Sequence, residues 1–120
     1  MKKLFILFLL LLPLTVVFAA IPKDAILNWS APTTNTDGTP VTDLAGYRVY
    51  CGTVTGIYPT VMDVGNITSY KVSDILTADK TYYCAITAYD FNGNESAYSN
   101  EVTFPLDRLG PVAPTGLKVR

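Results

Sequence analysis

The chain has 120 residues, 49% of them hydrophobic and 16% charged, and it contains no histidine. Nine basic and ten acidic side chains give a net charge of −1 with no basic cluster, which argues against nucleic acid and anionic membrane as partners. Without histidine the sequence lacks the commonest general base, the commonest metal ligand and the usual pH switch, so it points away from catalysis and calls for no cofactor.

Met1-Lys2-Lys3 forms a short basic start, Leu4 to Phe18 is almost wholly apolar, and small residues follow at Ala19 and Ala20. This is the three-part build of a secretory signal peptide. A membrane-crossing helix needs about 20 apolar residues, and this run is shorter and broken by Pro13. Cleavage is expected after Ala19, because Val17 and Ala19 then hold the small positions before the cut. Residues 1–19 are thus read as a signal peptide, 20–105 as one domain of ordinary size, and 106–120 as a Pro-rich tail. The mature chain carries seven basic and ten acidic residues, a formal charge of −3. The expected location is the periplasm, the cell surface or the extracellular medium, with no membrane contact in the mature form.

Downstream, short apolar–polar alternations are separated by turn chemistry. Ala25–Trp29 predicts a strand with Ala25, Leu27 and Trp29 on one face. Residues 31–40 form a loop rich in Pro, Thr, Asn, Asp and Gly. Gly46–Cys51 predicts a strand with Tyr47, Val49 and Cys51 together. Thr60–Val64 and Ser69–Val72 follow as short strands around a hairpin-type turn at Gly65-Asn66. Thr81–Tyr89 is the longest predicted strand, with Tyr82, Cys84, Ile86 and Ala88 on one side; 90–95 turns the chain, and Asn100–Phe104 is the last strand. No stretch keeps helical spacing for long enough to stand as a helix. About six evenly spaced strands read as an all-β sandwich.

The order of motifs resembles the fibronectin type III domain, especially versions in bacterial secreted proteins. It is carried by Leu27-Asn28-Trp29-Ser30-Ala31-Pro32, Leu44-Ala45-Gly46-Tyr47-Arg48-Val49-Tyr50, Leu76 with Tyr82, Ala85-Ile86-Thr87-Ala88-Tyr89-Asp90, Asn92-Gly93-Asn94-Glu95-Ser96 and Tyr98-Ser99-Asn100-Glu101-Val102. The resemblance implies an immunoglobulin-like sandwich of six to seven strands with Leu27, Trp29, Tyr47, Val49, Leu76, Tyr82 and Ile86 in its core. It makes Tyr82 a tyrosine-corner residue, its ring inside and its hydroxyl bonded to nearby backbone. Trp29 is then structural rather than a ligand platform. Family members usually carry aromatic residues at the positions of Cys51 and Cys84. The fold places these two inward-facing residues on neighbouring strands, which implies a cross-strand disulfide, with two buried free thiols as the alternative.

Specific chemistry finds little support. A catalytic thiol has no histidine to serve as its base. The aspartates Asp37, Asp43, Asp63, Asp74 and Asp79 lie in or beside turns, where local backbone bonding explains them. Asp90-Phe91-Asn92-Gly93-Asn94-Glu95 gathers oxygen ligands but lacks the rest of a calcium loop, so a tight turn is the expected role. Phe91, Asn92 and Asn94 are candidate partner contacts at this loop.

The seven-strand pattern of the family begins with a strand before the Trp strand, and only five residues separate Ala19 from Ala25. A missing first strand leaves the edge of the Trp strand open to another strand. At the other end, 110–119 resembles the entry and first strand of a following domain. Leu117 and Val119 are therefore candidates to join the open edge of a neighbouring subunit in a head-to-tail self-association, the alternatives being a disordered tail, a tail folded back on its own domain, or a truncated multidomain gene. The expected function is a secreted, non-catalytic binding or structural module acting through protein–protein contacts. A carbohydrate-associated accessory domain for a separate hydrolase is the alternative, which exposed planar aromatics at Tyr58, Phe91 and Tyr98 would favour.

Overall fold

The computed structural model describes residues 24–120; the expected signal peptide lies outside the described residues. These residues form β1 (Ile26–Asn28), β2 (Leu44–Gly52), β3 (Thr60–Gly65), β4 (Ser69–Lys71), β5 (Thr81–Asp90) and β6 (Val102–Pro105), with one 3-10 turn at Val72–Asp74. β1 and β4 make a two-stranded sheet, and the other four make a sheet of order β3-β2-β5-β6. Every pairing is antiparallel.

The long β2–β5 ladder is the spine of the fold. Its register sets Tyr47 against Ala88, Val49 against Ile86 and Cys51 against Cys84, so both apolar rows meet on one face. A slip of one residue would turn both rows to solvent, which is why alternation fixes the register so firmly. Tyr47, Val49, Cys51 and Cys84 are at most 1% exposed. Ala25, Val72, Leu76, Tyr82 and Leu106 complete the buried cluster, with Leu27, Trp29, Ile86 and Phe104 half-buried against it. Trp29 meets Tyr47 edge-on, their ring centroids 5.4 Å apart.

Cys51 and Cys84 are joined in a disulfide with their Cα atoms 4.2 Å apart, and no described cysteine is free. At the start of β5 the Ala78 amide donates to the Tyr82 hydroxyl at 3.3 Å, so that ring is buried while its polar end meets backbone four residues upstream. Tyr82→Phe keeps the ring and loses this one bond. It is expected to cost about 1 kcal/mol in urea unfolding; an unchanged midpoint would refute that role.

Two strand readings shift. Gly65-Asn66 does not close a hairpin: β3 pairs with β2, whereas β4 pairs with β1. Gly65, with φ 73°, and a bond from the Ile67 amide to the Gly65 carbonyl carry the chain from one sheet to the other. The last strand begins at Val102 rather than Asn100, because β5 is served differently before that point. The amides of Ile86 and Ala88 donate to the hydroxyls of Ser99 and Ser96, both at 2.9 Å. Those serines return their own amides to the carbonyls of Ile86 and Ala88.

One pole of the molecule is tied together around buried Ser73. The Ala25 amide donates to the Ser73 hydroxyl at 3.2 Å, and the Arg108 guanidinium donates to the carbonyls of Ser73 and Leu76. Leu106 therefore stays with the core at 3% exposure, and the free tail starts after Arg108.

Candidate functional site

Because Tyr47, Val49 and Cys51 point inward, Arg48 and Tyr50 must point outward, and on β5 Thr87 and Tyr89 do the same. Register places Tyr50 beside Val61 and Arg48 beside Asp63 of β3. The outer face of the larger sheet therefore carries aromatic and charged groups in place of the plain polar residues expected of a solvated sheet face.

Two segments beside the sheet complete this face. Tyr58, from the turn after β2, and Tyr98, from the run before β6, pack with Tyr50 into a triad. Ring centroids are 4.9 Å apart for Tyr50–Tyr98, 5.1 Å for Tyr58–Tyr98 and 6.5 Å for Tyr50–Tyr58, with interplanar angles of 62–78°. All three contacts are edge-to-face, the arrangement that ring quadrupoles favour.

Two glutamates pin the triad from opposite sides. Glu95 accepts hydrogen bonds from the hydroxyls of Tyr50 and Thr87 and forms an ion pair with Arg48 at 2.9 Å. Glu101 accepts from the Tyr58 hydroxyl at 2.7 Å, the Thr55 hydroxyl at 2.7 Å and the Gly56 amide at 2.9 Å. The Arg48 guanidinium also lies over the Tyr89 ring, 4.4 Å from its centroid, and the Tyr89 hydroxyl donates to Asp63 at 2.8 Å. The rings of Tyr50, Tyr58 and Tyr89 are each held again at the hydroxyl, and Tyr98 is held by the two rings it packs against.

The electrostatics follow from these bonds. Donation from Thr87, then Tyr50, with Arg48 adjacent, holds the Glu95 carboxyl below its ordinary value of 4.5. Donation from the Gly56 amide, Thr55 and Tyr58 does the same for Glu101. Their carboxylate partners raise the phenols of Tyr50 and Tyr58, which therefore stay neutral donors. A carboxyl whose folded value is depressed stabilises the fold fully above its unfolded value and loses that contribution as pH falls through the folded one. The triad is therefore expected to hold at neutral pH and to loosen only below pH 4.5. Tyrosine fluorescence during an acid titration checks this; loosening already at pH 6 would rule it out.

The remaining candidates lie elsewhere. Phe91, Asn92 and Asn94 stand at the 90–95 turn, with Phe91 79% exposed. That turn borders a cleft of about 590 Å³ against the 32–44 loop. The Asp90 carboxylate accepts from the amides of Asn92 and Asn94 and from the Asn94 side chain at 2.9–3.0 Å. Its oxygens are thus spent on closing the turn, and among the described residues no group of three or more acidic or cysteine side chains is placed to hold a metal ion. Leu117 and Val119 stand in the tail, 99% and 98% exposed. Of the three aromatics flagged from sequence, Tyr58 and Tyr98 come together and Phe91 does not join them.

Sequence reasoning missed Arg48, Tyr50, Tyr89, Glu95 and Glu101 as parts of one surface. Alternation already marks Arg48 and Tyr50 as outward, but their partner Glu95 lies 45–47 positions away. No family model, curated protein or solved structure matches this chain.

Proposed function

We propose that this chain is a secreted, non-catalytic binding module of the fibronectin type III kind, acting through protein–protein contacts outside the cytoplasm. The motif order, the two sheets around a shared core and the tyrosine-to-backbone bond at Tyr82 support the fold half of this reading. The Cys51–Cys84 disulfide supports an oxidising compartment.

The pinned tyrosine triad carries the functional half. Tyrosine and arginine dominate the energetic centres of protein interfaces, and rings held in place before contact lose little entropy on binding. Val54, Ile57 and Val61, each 49–62% exposed, extend the apolar surface around the triad, while Glu95, Glu101 and Arg48 supply a polar rim. The edge-to-face geometry disfavours the carbohydrate reading at this site, because no two rings lie parallel to form a flat stacking platform.

The test is capture from the native cell envelope and culture supernatant by the immobilised protein, compared with Tyr98→Ala and Phe91→Ala. Tyr98 is 55% exposed, so its removal should leave the fold intact by circular dichroism. Binding of the captured protein is expected to weaken about 10-fold or more with Tyr98→Ala, the loss typical of an interface anchor, and to hold with Phe91→Ala. Retention of the partner by Tyr98→Ala, or its release by soluble polysaccharide alone, would overturn the reading.

A further inference from the structure

The larger sheet is wider than the sheet that faces it. Cys84 pairs with Val102 and Tyr82 with Phe104, and directly opposed residues of an antiparallel pair share a face. Cys84 and Tyr82 point into the core, so Val102 and Phe104 do as well. Yet Val102 is 39% exposed and Phe104 only half-buried. A cavity of about 210 Å³ lies where Trp29, just past β1, faces Ile86 of β5 and the Ser96–Ser99 run that leads into β6.

The facing sheet stops at β1. Bonds from the Trp29 amide to the Thr68 carbonyl and from the Val72 amide to the Ala25 carbonyl turn the backbone of Ala25, Leu27 and Trp29 towards β4. By alternation the amides and carbonyls of Ile26 and Asn28 turn to the other edge, and no strand among the described residues pairs there. That edge offers backbone groups beside uncovered apolar surface, which is what an added strand needs.

The chain itself carries a segment of that kind. Beyond the Arg108 anchor, Val112 is 93% exposed, Leu117 99% and Val119 98%. After Gly116, with φ 74°, Leu117-Lys118-Val119-Arg120 alternates apolar and basic, giving a strand one apolar face. Pro111 and Pro114 stiffen the stretch before it. Charge favours the same contact: Lys118 and Arg120 make the tail positive, whereas residues 20–108 carry five basic and ten acidic side chains.

We infer that the Leu117–Arg120 end of one copy adds a strand to the free edge of β1 in a second copy, with Leu117 and Val119 turned inward towards Ile86 and Val102. Each copy keeps its own edge and its own tail, so the contact is head-to-tail and repeats into open chains. It rests on the backbone edge of β1 rather than on the tyrosine hydroxyls, although Tyr98 also borders the cavity.

The experiment is multi-angle light scattering across a concentration series on the full chain, expressed with its own N-terminal segment so that any processing occurs. The apparent mass is expected to rise beyond twice the subunit mass. Two variants should each stay monomeric: Leu117→Asp with Val119→Asp, which alters only exposed side chains, and Ile26→Pro, which removes an edge amide without touching the β1–β4 bonds. Mixed together they should form dimers of one copy each, because the first retains the edge and the second retains the tail. A full chain that stays monomeric at millimolar concentration would overturn the inference. So would association that survives the tail substitutions, or a mixture that fails to pair.

Discussion

Replacing Cys51 and Cys84 together by alanine is expected to lower stability by about 3–4 kcal/mol. The bond joins residues 33 positions apart, and that separation sets the scale through the entropy it removes from the unfolded chain. Both sulfurs are fully buried at the centre of the β2–β5 ladder, so the alanines also leave a packing defect. A domain of this size has about 5–15 kcal/mol in total, so the loss is a large fraction of it. In a thermal scan it corresponds to a fall in Tm of roughly 15 °C or more. Dithiothreitol should bring the native protein close to the variant and leave the variant unchanged. A loss below about 1 kcal/mol in urea would mean that the cross-link constrains little.

Tyr47→Ala is expected to cost about 3–5 kcal/mol, as deletion of a large buried ring does. Tyr47 is 1% exposed and supplies the surface on which Trp29 rests edge-on, so its loss loosens the tryptophan as well. Tyr47→Phe is expected to behave differently. Burial raises the phenol's pKa and keeps it neutral, and its buried hydroxyl finds no hydrogen-bond partner among the described residues. Removing that hydroxyl alone should change stability by less than about 0.5 kcal/mol or raise it slightly. Equal losses in the two variants would locate the contribution of Tyr47 in its oxygen rather than its ring. Tryptophan fluorescence should shift to the red in Tyr47→Ala and stay put in Tyr47→Phe.

The parts of this structure that depend on alternation were legible in the sequence. The inward rows of β2 and β5, the half-buried Leu27 and Trp29, and the inward pair Cys51 and Cys84 all follow from side chains that switch face at each residue. The choice of strand partner was not legible. Gly65-Asn66 suits a hairpin turn and a sheet change equally well, and the difference lies in which edges β2 and β1 leave free. The tyrosine face was legible only in fragments, because Glu95 and Glu101 reach residues more than forty positions upstream through side-chain bonds that leave no periodic trace. The delayed start of β6 was hidden for a related reason: a serine that stands in for a strand looks, in sequence, like any loop serine.

That substitution matters for how copies of the chain meet. A bare strand edge is a template that any extended peptide can copy, and long ones invite indiscriminate stacking. At Ile86 and Ala88, β5 is satisfied by single hydroxyls, and each of these hands its own proton to the carbonyl of the next residue. The run Ser96–Ser99 thus acts as a stopper. An incoming strand would have to break bonds already made, and would find no continuous row of amides to zip along. The short edge of β1 has no such stopper among the described residues. The stretch of β5 beyond β6 is therefore closed to an added strand while the edge of β1 is open, so of these two places only the second can take one.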